Sequence, residues 1–490
     1  MTLRELFDNI SYRLAGKCEP TCLSERVLSI VTRAEDATQG TLFVCVRTAL
    51  GDGHDAAVAA YDSGCRCFLA RHDLPLPSDA AILVADEPEA LLGALAAKCL
   101  AHPARELTVF GIAGSAGKTS VALMTAAVLT RAGRRVATLT TDGARIGDTF
   151  VPADNVVPDA VKIQEFLRRA ADAGVEFALL EFSSYALAQK SACSIPFAAL
   201  LLTNLLEDNV KEGACEGAAA HRDAERSLFA NADAPFLVLP TAHADLAAMP
   251  QGRRLLFGEG GDFYAEACQF YADEKGFGSR FTLGMPEGEK IDVSLPVVGD
   301  LAVENAICTA ALARIAGLLP SEIAAGLADA VPVGRMECVA VKAGRYVFVD
   351  SAYEAKGLAR ALRVLRPHAT RRLAVVMGSV GGRARFRRAP LGETAARLAD
   401  AIYLTADDPA DEDPMQICRD IEAGIRATER NVRYAIIPDR AKAIARAVWE
   451  MRPGDVLLLA GKGSQQTQFL RGERVPFSER ELVSEAFLQI

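Results

Sequence analysis

A glycine-rich stretch in the first third of the chain has residue types and spacing suited to phosphate chemistry. It runs Gly111-Ile112-Ala113-Gly114-Ser115-Ala116-Gly117-Lys118-Thr119-Ser120, between a predicted strand and a predicted helix. Glycines let backbone N–H groups converge on phosphate oxygens, and the helix N-terminus adds a positive dipole end. Lys118 is expected to reach the β- and γ-phosphates of a nucleotide, and the Thr119 hydroxyl to bind Mg²⁺. The strict pattern requires glycine where Ile112 stands, so an ordinary glycine-rich turn is the alternative.

A carboxylate is predicted to lie beside this loop. Glu181 ends an apolar run, Phe177–Phe182, that predicts a neighbouring strand. Hard cations prefer oxygen ligands, so Glu181 and the Thr119 hydroxyl together predict a Mg²⁺ site. The alternative is that Glu181 caps the helix that follows.

The elements that position these residues predict an α/β protein. Short apolar runs alternate with helical stretches along almost the whole chain. In the last third, four runs with helical gaps predict the strands of a mainly parallel sheet: Tyr346–Asp350, Leu373–Met377, Ala401–Thr405 and Asp455–Ala460. Breaks near residues 102–105 and 332–334 predict three domains, at residues 1–104, 105–333 and 334–490.

Bulk properties exclude several classes of protein. A length of 490 residues suggests several domains, and a net charge of −9 argues against a broad nucleic-acid-binding surface. There is no apolar run of about 18 residues, so no membrane span is expected. The 12 cysteines lie mostly in apolar runs without zinc spacing, which favours reduced thiols over a metal site and predicts a cytoplasmic protein.

A series of short motifs, in order, resembles the Mur ligase family and within it the UDP-N-acetylmuramoyl-tripeptide synthetase branch. The phosphate loop resembles T-G-T-N-G-K-T-[TS] and is followed by further matches: Pro158-Asp159-Ala160-Val161, Glu181-Phe182-Ser183-Ser184, Thr203-Asn204-Leu205, Val303-x-Asn305-Ala306, Gly334-Arg335-Met336-Glu337, Asp407-Asp408-Pro409-Ala410, Asp439-Arg440 and Gly461-Lys462-Gly463. The resemblance covers nearly the whole chain.

The resemblance implies an N-terminal domain that binds a UDP-sugar substrate, a central P-loop domain that binds ATP and a Rossmann-like C-terminal domain that binds an amino acid. It implies a ligase of peptidoglycan precursor synthesis that uses ATP and Mg²⁺. A substrate carboxylate is converted to an acyl phosphate, and an amino acid then forms the amide. No nucleic-acid partner is expected.

Further site residues follow from the resemblance. Asn305, Arg335 and Asp350 are expected to join Gly114–Ser120 in binding ATP. Arg335 is also expected, with Lys118 and Glu225, to act in catalysis. Substrate binding is assigned to five residues: Ser183, Ser184, Arg383, Asp408 and Gly461. Arg383 and Arg388 belong to the arginine-rich run Gly381–Arg388, for which a solvated basic loop is the alternative.

Several functional positions depart from the family. Glu225 stands where the family has a carbamylated Lys, and it is either a shorter anionic substitute or a plain surface residue. Two family histidines after T-N-L are missing, with Asn209 a weaker metal candidate, and Tyr185 replaces another histidine. Ala410 replaces the Arg that grips a diaminopimelate carboxylate, which favours an amine such as lysine. These departures leave open a second function, a nucleotide-binding but weakly active or inactive paralogue that acts as regulator or partner subunit.

Overall fold

A computed structural model describes residues 1–15, 18–48, 51–153, 159–205, 223–229, 234–246, 253–273 and 276–489. The chain divides into two compact units. The first comprises Met1–Ala122, Leu129–Asp262 and Ala311–Gly317, and the second comprises Leu123–Val128, Phe263–Ala310 and Leu318–Ile490.

The first unit contains fifteen of the strands that the described residues form. They are β1 (Arg13–Leu14), β2 (Ser29–Val31), β3 (Thr41–Val44), β4 (Arg47–Thr48), β5 (Gly51–Asp52), β6 (Cys67–Ala70), β7 (Ala81–Val84), β8 (Thr108–Ala113), β9 (Val136–Thr140), β10 (Gly143–Ile146), β11 (Thr149–Pro152), β12 (Phe177–Glu181), β13 (Ala199–Leu202), β14 (Phe236–Pro240) and β15 (Arg253–Phe257). Its helices are α1 (Leu3–Leu6), α2 (Ala57–Asp62), α3 (Pro88–Cys99), α4 (Lys118–Arg131), α5 (Ala160–Asp172), α6 (Ser184–Ala188) and α7 (223–229).

An eight-stranded sheet organises the larger part of this unit. Its order is β11-β10-β9-β12-β8-β13-β14-β15, and the six strands from β9 to β15 in that order run parallel. The carboxyl ends of β9, β12, β8 and β13 therefore lie side by side. Residues that follow these four strands are brought to one edge of the sheet, where ligands bind in open α/β sheets.

The smaller part of the first unit is a five-stranded sheet, ordered β1-β7-β6-β3-β2. Helix α3 follows it and packs against α5 of the larger part, with Leu92, Leu95, Ala160 and Val161 in one buried cluster. A hydrogen bond from the Thr32 hydroxyl to Asp159 Oδ2 (2.8 Å) lies near the same junction.

The second unit contains the remaining strands and helices. The strands are β16 (Tyr264–Asp273), β17 (Gly276–Gly284), β18 (Lys290–Leu295), β19 (Glu337–Lys342), β20 (Arg345–Asp350), β21 (Leu373–Met377), β22 (Ala401–Leu404), β23 (Arg433–Ile436), β24 (Val456–Ala460), β25 (Thr467–Leu470) and β26 (Glu473–Pro476). The helices are α8 (Asp300–Ile315), α9 (Pro320–Asp329), α10 (Ala355–Leu365), α11 (Arg388–Leu398), α12 (Pro414–Arg426), α13 (Arg440–Trp449) and α14 (Glu479–Leu488). Two helices are divided between the units: the end of α8, from Ala311, belongs to the first unit, and Leu123–Val128 of α4 belongs to the second.

A six-stranded sheet forms the core of the second unit. Its order is β19-β20-β24-β21-β22-β23, parallel except for β19. Apolar residues of α10, α11 and α12 pack on one face, and those of α13 and α14 pack on the other. The two-layer cover explains why these strands are apolar runs without alternation.

The α/β class and the parallel sheet of the last third are confirmed, and the domain boundaries at residues 104 and 333 stay predictions. Each large sheet is built from residues of one predicted domain. The sequence pattern gave no strands between residues 233 and 290, although β14 to β17 lie there. Strand β16 was not predicted because it is the exposed edge of a three-stranded antiparallel sheet and buries few side chains, so its sequence lacks an apolar run.

Candidate functional site

The loop between β8 and α4 has backbone conformations that require glycine. Gly114 has φ +122° and Gly117 has φ +92°, values that other residues rarely adopt. A Cβ on Gly114 would lie 2.3 Å from Thr203 Oγ1 and 2.9 Å from the Asn204 carbonyl oxygen. The loop therefore packs closely against the end of β13. Position 114 requires glycine for two reasons: the backbone has a positive φ, and a Cβ would clash with β13.

Asn204 fastens the loop from this neighbouring strand end. Its carbonyl accepts a hydrogen bond from Ser115 N (2.9 Å), and its side-chain amide exchanges two bonds of 3.0 Å with the backbone of Ala116. The sequence pointed to Thr203-Asn204-Leu205 as a motif but gave Asn204 no function. Its role in fixing the loop depends on β8 and β13 being neighbours, which a single motif does not reveal.

The side chain of Lys118 folds back over the loop. Its Nζ donates to the carbonyls of Gly114 (2.6 Å) and Ser115 (3.5 Å). The ammonium group is only partly buried and lies among backbone groups of the loop. A lysine at this point of a phosphate-binding loop is within reach of nucleotide phosphates once its ammonium group leaves these carbonyls.

Oxygen atoms converge beside Lys118, at the start of α4. The Thr119 hydroxyl donates to Glu181 Oε2 (2.8 Å), and Thr141 N donates to the same oxygen (3.1 Å). Glu181 ends β12 and Thr141 follows β9, so the parallel sheet brings them together. Sequence reasoning paired Thr119 with Glu181 but missed Thr141, which no motif marks.

This oxygen set fits Mg²⁺. A hydroxyl and a carboxylate are the hard oxygen ligands that Mg²⁺ prefers, and Mg²⁺ commonly uses only one or two carboxylates together with substrate phosphates and water. The described residues contain no group of three or more His, Cys, Asp or Glu side chains arranged to hold a metal. The protein side therefore fits an ion that is bound mainly with a nucleotide.

A buried carboxyl group also interacts electrostatically with Lys118. Glu225, on α7, is only 4% exposed. Burial raises the pKa of its carboxyl to about 7, and the charge of Lys118 and a hydrogen bond from Ser184 act against that shift. Glu225 is thus brought together with two predicted site residues and is not a plain surface residue.

Ser183 begins α6 as its N-cap. Its Oγ accepts a hydrogen bond from Ala186 N (3.2 Å), which stabilises the helix start. The hydroxyl proton of Ser183 is not used in that bond, so capping and a substrate contact are compatible. Two other predictions, Pro158 and Asn209, lie outside the described residues.

A second group of predicted residues meets at the carboxyl edge of the six-stranded sheet. Asp350 ends β20; its Oδ2 accepts from Met336 N (2.7 Å) and its carbonyl accepts from Gly461 N (2.9 Å). Burial raises the pKa of Asp350, while Arg335 and backbone N–H groups lower it. A Cβ on Gly463 would lie 3.0 Å from a terminal nitrogen of Arg335, so Arg335, Asp350 and Gly461 are neighbours.

Asp408 lies at the same edge, after β22, and is tied to a buried lysine. Lys462 Nζ donates to Asp408 Oδ1 (2.8 Å), Asp407 Oδ1 (3.3 Å) and Gln465 Oε1 (3.0 Å). Phe469 N also donates to Asp408 Oδ1 (2.9 Å). Sequence reasoning named Asp408 and Gly461 but did not foresee that Lys462 joins their two loops.

The arginine-rich run separates into different environments. Arg383 is exposed. Arg388 is fully buried and pairs with both oxygens of Glu412 and with Asp420, each at 2.8 Å. The charge of Arg388 is therefore neutralised by ion pairs within the fold, which makes Arg335 and Arg383 the better candidates to bind a phosphate or a substrate.

Asn305, which was predicted to bind ATP, lies on α8 and is buried.

Comparisons with known proteins identify what this chain is similar to. Residues 112–313 match the Mur ligase middle domain, and residues 334–463 match the Mur ligase glutamate ligase domain. A UDP-N-acetylmuramoyl-L-alanyl-D-glutamate–2,6-diaminopimelate ligase of Geobacillus thermodenitrificans is 31% identical over 470 residues, 93% of each chain. A UDP-N-acetylmuramyl-tripeptide synthetase of Deinococcus radiodurans is 33% identical over 470 residues, 92% of this chain and 93% of that protein.

Solved structures share the fold over the same extent. A UDP-N-acetylmuramoyl-L-alanyl-D-glutamate–2,6-diaminopimelate ligase superposes with a TM-score of 0.68 at 24% identity, covering 100% of this chain and 99% of that one. A MurF ligase of Thermotoga maritima, solved in complex with ADP, has a TM-score of 0.58 at 19% identity and covers 95% and 97%. In the described part of the chain, no helix combines the length and apolar character needed to cross a membrane.

Proposed function

Because the chain belongs to the Mur ligase family, we propose that it is an ATP-dependent ligase that joins an amino acid to the carboxylate of a UDP-N-acetylmuramoyl-peptide. The relatives that match over nearly their full length carry such names. The product is an amide in a peptidoglycan precursor, and the energy comes from cleavage of the terminal phosphate of ATP.

The observation that carries this proposal is the junction of Lys118, Thr119 and Glu181 at four adjacent strand ends. The Thr119–Glu181 hydrogen bond of 2.8 Å and the glycine-dependent loop conformation keep the parts of a nucleotide site in place. A nucleotide-binding regulator or partner subunit would keep the same arrangement. The ligase is favoured over that alternative because relatives that match over nearly their full length carry ligase or synthetase names.

In this proposal ATP binds with its phosphates against the loop Gly114–Ser120. Backbone N–H groups and Lys118 balance the phosphate charge, and Thr119 and Glu181 hold Mg²⁺, which offsets the charge that develops on the transferred phosphoryl group. Binding requires Lys118 Nζ to exchange the carbonyls of Gly114 and Ser115 for phosphate oxygens. Asn305, Arg335 and Asp350 complete the nucleotide-binding set by resemblance.

The reaction has two balanced steps. An oxygen of the acceptor carboxylate attacks the γ-phosphorus, and ADP leaves with the electrons of the broken bond. The amine then attacks the acyl carbon, phosphate leaves, and the nitrogen loses a proton. Glu225 is proposed to position Lys118 for the first step, since its carboxyl feels the charge of that ammonium and accepts a hydrogen bond from Ser184.

The amine is proposed to bind at the carboxyl edge of the six-stranded sheet, near Asp408 and Gly461, with Arg383 at the exposed rim. Ala410 offers no guanidinium to a distal carboxylate. This favours an amino acid that lacks the distal carboxylate, such as lysine, over diaminopimelate. Residues 1–104, 105–333 and 334–490 are proposed as the domains for acceptor, nucleotide and amine.

Phosphate release from Mg-ATP by the purified chain tests the proposal. UDP-N-acetylmuramoyl-dipeptide is offered with single amino acids, and Lys118→Ala is compared with the control Lys442→Ala, whose side chain is exposed at 79%. We expect release that requires both acceptor and one amino acid, is lost in Lys118→Ala and is unchanged in the control. If the chain binds ATP but no acceptor and amino acid pair gives turnover, the ligase proposal is wrong for this substrate class.

A further inference from the structure

A cavity of about 840 Å³ lies in the first unit, away from the phosphate loop. Its walls come from α3, from the turn Pro103–Glu106, from α5, from residues 187–197 and from α7. The lining is mainly apolar, from residues such as Ala90, Ala94, Ile195, Phe197 and Leu228. Its volume falls within the range of sites for small organic molecules.

One buried polar group in this cavity has an unmet hydrogen bond. Gln164, on α5, is 1% exposed and lines the cavity. Within the described residues, its Oε1 has no hydrogen-bond partner. Because buried amide oxygens are nearly always bonded, this oxygen marks a place for a donor that the protein itself does not supply.

Three basic side chains are among the residues that line the cavity. They are His102, Arg105 and Lys190, and Lys190 also binds the carboxylate of Glu87. Burial lowers the pKa of His102, and the nearby charges of Arg105 and Lys98 lower it further. An anion near Arg105 would therefore be attracted by that guanidinium and by the His102 imidazole once it is protonated.

The cavity is distinct from the site proposed for ATP. On α7, Ala224, Ser227 and Leu228 line the cavity, whereas Glu225 interacts with Lys118 and Ser184. The wall formed by residues 192–197 is held against α3 at Gly93, where an added Cβ would lie 2.6 Å from the Cys193 carbonyl oxygen. Two different faces of α7 thus serve two different sites.

We propose that this cavity binds an amphipathic organic anion. Its apolar body fills the space between α3, α5 and residues 187–197, an N–H or O–H group donates to Gln164 Oε1, and its anionic group lies at the Arg105 end. The inference does not depend on the proposed ligase activity.

The probe that tests the site is 1-anilinonaphthalene-8-sulfonate, which has an aromatic body, one N–H donor and one sulfonate. Its fluorescence is titrated with the full chain, in the absence and presence of saturating ADP. The variants are Ala94→Trp, which fills the cavity, Gln164→Leu, which removes the acceptor, and Arg105→Gln. The control is Ala59→Trp, on the exposed face of α2 outside the cavity.

We expect saturable binding of one probe molecule that ADP does not displace. Ala94→Trp should abolish it, Gln164→Leu and Arg105→Gln should each weaken it about 3- to 10-fold, and Ala59→Trp should leave it unchanged. Each variant must bind ADP like the wild type, which excludes misfolding as the cause. If Ala94→Trp misfolds, the exposed Arg105→Gln still decides.

A second readout is the ¹H NMR titration of His102, assigned with a His102→Gln variant. The bound sulfonate should raise the pKa of this imidazole. The proposal is overturned if ADP displaces the probe, if Ala94→Trp or Arg105→Gln binds it as the wild type does, or if the His102 titration does not move.

Discussion

Replacing Gly114 by alanine is expected to destroy nucleotide binding. The new methyl group would lie 2.3 Å from Thr203 Oγ1, 2.9 Å from the Asn204 carbonyl oxygen and 3.0 Å from Asn204 N. Two of these three atoms are backbone atoms at the end of a buried strand, which cannot turn aside as a flexible side chain does. The residue would also have to keep a φ of +122°.

The size of the effect follows from two costs. A strained backbone conformation costs about 1–3 kcal/mol, and overpacking against a fixed neighbour costs about 1–3 kcal/mol. The loop can relieve these costs only by leaving the conformation in which Asn204 holds Ser115 and Ala116. Even at the low end of about 2 kcal/mol, the Kd for nucleotide should rise about 30-fold or more.

Calorimetric titration with ADP and Mg²⁺ measures this effect, and Gly133→Ala is the matched control. Gly133 has φ +79°, but nothing lies within 4 Å of an added Cβ. It therefore bears the backbone strain without the clash and without contact to the loop. If Gly114→Ala binds ADP within about 3-fold of the wild type while Gly133→Ala is also unaffected, the contact with β13 does not define the site.

Three further predictions concern charges and oxygen ligands. Thr119→Val should raise the Mg²⁺ concentration needed for half-maximal ATP cleavage at least about 10-fold. The control Thr130→Val, on the exposed face of α4, should leave it unchanged. If the two variants depend equally on Mg²⁺, Thr119 is not a metal ligand. Because the pKa of Glu225 is raised from 4.5 to about 7, the folded state holds this proton more tightly than the unfolded state. The free energy of unfolding of the wild type should therefore fall by about 2–3 kcal/mol, relative to that of Glu225→Gln, between pH 5 and 8. Melting temperatures of the two proteins that change in parallel across that range would contradict the raised pKa. Lys462→Met should lower the free energy of unfolding by about 3–5 kcal/mol, because it removes the buried ammonium that pairs with Asp407 and Asp408. The control Lys442→Met should leave the melting temperature unchanged. Equal melting temperatures of the two variants would refute this account.

The sequence predicted the elements that have strong local signals. Strand, glycine-rich loop and helix follow one another within residues 108–131, so the phosphate loop was recognisable without tertiary information. The pairing of Thr119 with Glu181 was also predictable, because two parallel strand ends place them at one edge. Long apolar runs predicted four strands of the last third, β20, β21, β22 and β24, to within one residue at each end, but did not predict β19, β23, β25 and β26.

Other parts depended on neighbours that are distant in the chain. Thr141 and Asn204 act through strands β9 and β13, and their importance follows from the sheet order rather than from any motif. The burial of Arg388 and Lys462 was equally hidden, since the sequence shows a basic run or a Gly-Lys-Gly motif but not the carboxylates that face it. The buried position of Glu225 resolved a choice that the sequence left open.

The strand order of the six-stranded sheet has a consequence for how the chain folds as it is made. β20 and β21 are not paired with each other in the described structure; both pair with β24, which lies between them and is translated last of the three. While residues 373–455 leave the ribosome, both strands present unpaired edges. Such long-range pairing folds slowly and exposes apolar surface. A nascent chain arrested before Val456 is therefore expected to bind chaperones. Helices α10, α11 and α12 have then been translated and can cover one face of the sheet, but the gap between β20 and β21 that β24 fills is still open.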